Sequence, residues 1–241
     1  MQKTTSATER AGALVCDYFG QAFTLLDELT PRISHNIRVA SSVAPLTAAR
    51  LDILIEPFAK EALNFTGIKL HGAGFIAAID FLTDAQSHLA WWQGPQHSKL
   101  VLASQSVNKE HIDYSGLEWY RVPATTGAIH VAGPYVDYLC SDEYTVTVAA
   151  PVIQESRFIG VTAIDVLVDT VEGSLVEPMA AIANNLTLIN GVGRVVLSTD
   201  PEQATGMAIR GHDLERFDRT DCNGFDLAVL QDRENGTTAG R

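Results

Sequence analysis

The spacing of apolar and polar positions changes character along the chain, and each change marks an element. Leu14, Tyr18, Ala22, Leu25 and Leu29 recur at helical spacing behind Ser6 and Glu9, a pair spaced as a capping box. The pattern predicts a long first helix ended by Pro31. A second amphipathic stretch, from about Leu46 to Leu63, carries Leu51, Leu54, Ile55 and Phe58 on one side. It predicts a helix that is over by Gly67 and kinked at Pro57. From Gly72 the period shortens to β-type runs: "GAGFIAAIDFL", "KLVLAS", "GPYVDYL", "EYTVTVAAPVI" and "RFIGVTAIDVLV". The last three lie a few residues apart, which predicts an antiparallel meander. A helix is expected through "VEGSLVEPMAAIANN", a hairpin turning at Asn190 and Gly191 in "LTLINGVGRVVLST", and a final strand at "FDLAVL".

One position breaks its own pattern. Asp165 stands inside "FIGVTAIDVLV", where apolar residues fill both faces of the strand, so no shift of register frees the acid. An unpaired ionised carboxylate in such a place costs several kcal/mol. No Lys or Arg lies between Phe158 and Arg194, so a counter-charge comes from elsewhere in the fold or from a ligand. A structural acid that caps a backbone group is the alternative.

Other candidate chemistry gathers just upstream. Tyr135 and Asp137 are two apart on their strand and share a face. Tyr114, Trp119 and Tyr120 fall in "YSGLEWYRVP", whose Gly and Pro predict a loop and not a regular helix. If the meander sets Asp165 beside Asp137, two carboxylates meet several rings. That combination suits an organic cation, through opposite charge and ring faces worth about 0.5 to 2 kcal/mol each. The rings also fit plain core packing, and Asp137 and Asp142 also fit a turn. Cys140 reads as a small core residue without a histidine to activate it, the paired tryptophans at 91 and 92 as packing, and His130 as structural.

Composition narrows the class. The 241 residues are 46% hydrophobic and 19% charged, ordinary for a globular protein with a sizeable core. A formal net charge of -12 disfavours nucleic acid and anionic membrane surfaces. Three widely spaced cysteines fit reduced thiols, and neither a signal-peptide pattern nor an 18-residue apolar run is present, so a cytoplasmic protein is expected. Nucleophile-elbow, phosphate-loop, dinucleotide and zinc-protease motifs are missing from the sequence, and no cofactor or metal is expected.

The order of elements, with "WY" at 119, "GPYVDYL" at 133 and "IGVTAIDVLV" at 159, resembles a Cache domain, the PAS-like ligand-binding module of bacterial chemoreceptors and sensor kinases. The likeness covers roughly residues 8 to 185. It implies an α+β fold with a five- to six-stranded antiparallel sheet and a long N-terminal helix. It also implies a ligand-binding unit over 1–185, a hairpin appendage over 186–230 that is a remnant of a second lobe, and a flexible tail over 231–241. In the amino-acid-binding branch, the pocket positions fall here on Leu117, Trp119, Tyr120, Tyr135, Asp137 and Asp165. Leu117 stands where that branch has an arginine, which takes away the partner of a ligand carboxylate and keeps the acids that hold an ammonium group. The resemblance extends to stand-alone cytoplasmic Cache proteins of actinobacteria. The expectation is a non-enzymatic sensor of a cationic amine, with an output protein partner in signalling, transcription or transport control and a homodimer surface on the first helix. The alternatives are an amino-acid-binding Cache protein, an enzyme acting on a small amine with Asp137 or Asp165 as general base, and a scaffold whose pocket has decayed.

Overall fold

The computed structural model describes residues 5–100, 113–222 and 224–233. Helix α1, Ala7–Val43, opens on the capping box that the sequence predicts: the Glu9 amide donates to the Ser6 hydroxyl at 3.1 Å, and the Ser6 amide donates to the Glu9 carboxylate at 2.7 Å. It does not end at Pro31. A proline removes one intrahelical bond, but the apolar row continues through the buried Ile33 and Ile37, and packing carries the helix past the break. Helix α2, Ala48–Leu63, contains Pro57 and is capped at Asn64, whose side chain donates to the Lys60 carbonyl at 2.7 Å.

Six strands form the first sheet: β1 (Gly72–Ala77), β2 (Leu89–Gln93), β3 (Ser98–Lys99), β4 (His130–Val136), β5 (Tyr144–Gln154) and β6 (Arg157–Leu167). Their order is β3-β2-β1-β6-β5-β4, with every pairing antiparallel. The expected meander is β4, β5 and β6, and Asp165 lies on β6 between β1 and β5. Of "KLVLAS", residues 101–104 fall outside the described residues. Both faces of the sheet are covered, which explains strands that are apolar on both sides. Thr162, Ile164 and Val166 turn toward α1 and α2, while Val161, Ala163 and Asp165 turn toward α3, Glu118–Thr126. Trp91 and Trp92 divide the same way, with Trp92 in the large core and Trp91 in the smaller aromatic cluster. Glycines on β1 make room for Trp91: a Cβ at Gly72 would stand 2.6 Å from its ring.

Helix α3 corrects the loop expected around residues 114–123. It is short and holds Pro123 inside, and burial of Trp119, Tyr120 and Pro123 outweighs its poor local propensity. After β6, helix α4 (Val168–Ala180) leads into a second sheet of β7 (Leu186–Asn190), β8 (Val195–Ser198), β9 (Phe217–Cys222) and β10 (Leu227–Asp232), in the order β8-β7-β10-β9. A 3-10 turn, Gly211–Arg216, precedes β9. The stretch read from sequence as a hairpin appendage is thus a four-stranded sheet, packed on α1. Strand β9, "FDRTDC", has no apolar alternation because it is an edge strand with mostly exposed side chains. Gln231 and Asp232 belong to β10 and not to the tail; residues 234–241 lie outside the described residues.

The two sheets share one core and a specific polar tie. The Asn190 amide donates to the Gly133 carbonyl at 2.7 Å, and its side-chain oxygen accepts from the Val192 and Arg194 amides at 3.1 and 2.8 Å. His130, at the start of β4, lies 2.8 Å from Glu118 of α3 and 3.9 Å from Asp226 in the β9–β10 turn.

Candidate functional site

A cavity with an empty volume of about 260 Å3 opens between the α3 side of the first sheet and the turn after β4. Its wall combines Trp91 and Leu89 of β2, Trp119 of α3, Tyr135 of β4, Thr147 of β5, Ala163 and Asp165 of β6, and Asp137 and Cys140 of the turn. The register brings the polar groups together. Thr147 sits directly opposite Asp165, and the β4–β5 ladder shifts between Ala132 and Tyr135, which re-aims Tyr135.

Asp165 is 3% exposed. Thr147 Oγ1 donates to its Oδ1 at 2.5 Å, and Tyr135 Oη stands 2.6 Å from the same Thr147 oxygen. A hydroxyl has one proton to give, so the order is Tyr135 to Thr147 to Asp165. Burial, and secondly the charge of Asp137, push the Asp165 carboxyl up to about 8, with the Thr147 bond opposing them. At neutral pH the Asp165 carboxyl is therefore mostly protonated.

Asp137 is 5% exposed, and its Oδ1 accepts from the Leu139 and Cys140 amides at 3.2 and 3.3 Å, an Asx turn that fixes the carboxylate in the wall. The turn reading and the site reading of this residue are thus compatible. The Cys140 thiol is pushed well up by burial and by Asp137 and Asp165, the opposite of an activated nucleophile. Burial pulls His71 down, against the charges of Glu143 and Asp137, and its Nε2 is buried with no hydrogen-bond partner among the described residues. No Lys or Arg appears among the described residues of the wall.

Four of the seven residues singled out from sequence, Trp119, Tyr135, Asp137 and Asp165, converge on this cavity. Tyr114 and Tyr120 stand behind it. Tyr114 is fully buried, with its ring 5.2 Å from Tyr120 and 6.1 Å from Trp119, and its hydroxyl donates to the Ala77 carbonyl at 2.6 Å. Tyr120 stacks edge-on to Trp119 and Phe158. These two rings position Trp119. Leu117, at the N-cap of α3, is 40% exposed and outside the wall. Sequence reasoning missed Trp91 and Thr147. Alternation along "LAWWQ" could have assigned Trp91, whereas Thr147 depends on strand register.

Among the described residues, no group of three or more His, Cys, Asp or Glu side chains could hold a metal ion, and no helix is long and apolar enough to cross a membrane. No curated protein matches the chain by sequence. The full architecture is similar to solved chemoreceptor ligand-binding domains. That of Pseudomonas fluorescens CtaA in complex with L-valine aligns with a TM-score of 0.59 at 12% identity, over 93% of this chain and 94% of that one. Campylobacter jejuni Tlp3 in complex with L-valine gives 0.61 at 12% identity, over 95% and 90%. Pseudomonas aeruginosa PctB in complex with L-Gln gives 0.58 at 14% identity, over 98% and 92%. Residues 98–172 match the family described as methyl-accepting chemotaxis protein-like, first PDC sensor domain. The chain thus has the fold of the PDC/Cache-type sensor domains, with its candidate cavity built largely from the segment that matches the first of them.

Proposed function

We propose that this protein is a sensor whose first-sheet cavity takes a small organic cation of the amine type and reports its presence to a partner. The observation that carries the reading is the convergence of two buried carboxylates, Asp137 and Asp165, on one aromatic-walled cavity with no Lys or Arg among its described residues. An ammonium group gains from both acids and from the faces of Trp91, Trp119 and Tyr135. A simple carboxylate meets the reverse from the charge of Asp137: at an effective dielectric near 20, one acid about 4 Å away opposes it by roughly 4 kcal/mol, with no Lys or Arg among the described wall residues to offset it.

An amino acid is the second reading, favoured by the L-valine and L-Gln in the relatives' complexes. Against it stands Leu117, a residue without charge and outside the wall, at the position of the arginine in the amino-acid-binding branch that the sequence resembles. A thermal-shift screen over alkylamines, quaternary ammonium ions, amino acids and carboxylates tests the proposal, because binding to the native state raises stability by RT ln(1 + [L]/Kd). The reading expects shifts from amines and none from simple carboxylates; shifts confined to α-amino acids favour the second. A sensor also returns its ligand unchanged after denaturation, whereas an enzyme converts it.

A further inference from the structure

Cys16 and Cys222 meet where the first helix crosses the second sheet. Thr8, Gly12 and Cys16 recur every four residues and form one row along α1, and Thr220 and Cys222 share a face of β9. The two rows are in register. Thr220 Oγ1 donates to Thr8 Oγ1 at 2.8 Å, and a Cβ at Gly12 would stand 3.5 Å from the Thr220 methyl. One helical turn further and two strand residues on, the Cys16 and Cys222 thiols come within hydrogen-bonding reach of each other. Both are free thiols, Cys16 partly accessible and Cys222 3% exposed.

We propose that Cys16 and Cys222 are an oxidisable pair, and that their disulfide clamps the first helix to the edge strand of the second sheet. Gly12, one turn before Cys16, lets α1 rest in van der Waals contact on the Thr220 methyl, two residues before Cys222. The oxidant is a low-molecular-weight disulfide. The Cys16 thiolate attacks one of its sulfurs, forming a mixed disulfide and expelling one thiolate; the Cys222 sulfur then attacks Cys16, closing the S–S bond and expelling the second. Two electrons pass from the protein sulfurs to the oxidant, and the two protein thiol protons end on the two released thiols. Burial holds the Cys222 thiol above its ordinary range, which makes the second step slow. Cys140 lies in the wall of the first-sheet cavity and takes no part.

The experiment treats the full chain with oxidised glutathione, alkylates the remaining thiols, and maps the peptides by mass spectrometry without reduction. The expected result is a Cys16–Cys222 cross-linked peptide within one chain, an alkylated Cys140, and a melting temperature about 5 to 10 °C higher that falls back with dithiothreitol. In Cys222→Ser, Cys16 should stop at the glutathione adduct with no such gain. If that variant does not fold, the wild-type peptide map alone decides. Wild-type chains that keep all three thiols, carry glutathione on Cys16 without the cross-link, or cross-link only between chains would overturn the proposal.

Discussion

Thr147 donates its hydroxyl to Asp165 at 2.5 Å across the β5–β6 pair, and it can do so only because the two residues are directly opposite in the ladder. The bond is the one interaction of the described site that pulls the Asp165 carboxyl down while burial and Asp137 push it up. Thr147→Val should therefore move the Asp165 midpoint above about 8 and leave the Tyr135 hydroxyl without its partner. The expected cost is about 1 to 3 kcal/mol of stability, read by urea unfolding, with the carboxyl followed by carbon-detected NMR.

Asp165 also sets a pH dependence of folding. Its folded value of about 8 lies above the ordinary 3.8, so between these limits the native state holds a proton that the unfolded chain has released. Stability from this group is complete below about pH 4 and disappears as pH rises through about 8. Each unit of the shift corresponds to about 1.4 kcal/mol. Unfolding free energies of wild type and Asp165→Asn should diverge between pH 5 and pH 8, with the wild type falling more steeply. His71 contributes equally to both proteins, so parallel curves would remove Asp165 from the account.

The paired tryptophans separate packing from binding. Trp92→Ala empties space in the main core and should cost about 3 to 5 kcal/mol without weakening ligand binding in the protein that still folds. Trp91→Ala opens the cavity wall and should lose both stability and the amine-induced thermal shift.

Asn190 ties the sheets through three backbone groups. Asn190→Ala strands the buried Gly133 carbonyl and two turn amides, so chemical denaturation should show a loss of about 2 kcal/mol or more. Amide exchange should speed up in both the β7–β8 turn and β4.

What could be read from the sequence was whatever local spacing dictates. Ser6 and Glu9 announced the start of α1, and the apolar run around Asp165 announced a strand covered on both faces. Pro31 and Pro123 misled because burial of neighbouring residues outweighs a single missing hydrogen bond. Strand β9 was hidden because its exposed, charged side chains carry no period, although its backbone is paired to β10 along its whole length. Asp137 and Asp165 were legible singly. Their meeting with Thr147 and Trp91 was not, because register and the facing of β2 are settled only when the sheet assembles.

Isothermal titration of a quaternary ammonium ion at pH 7, in two buffers of different ionisation enthalpy, reads whether Asp165 gives up its proton to hold a cation. Such a cation carries no proton of its own, so any proton released comes from the protein. With the Asp165 carboxyl near 8, wild type should release close to one proton per cation bound. Asp165→Asn should bind more than tenfold more weakly, on the order of 1.4 kcal/mol, and release none. Carboxylates should give no binding heat to either protein. A preference for carboxylates, an absence of amine binding, or amine binding that neither releases a proton nor responds to the substitution would contradict the account.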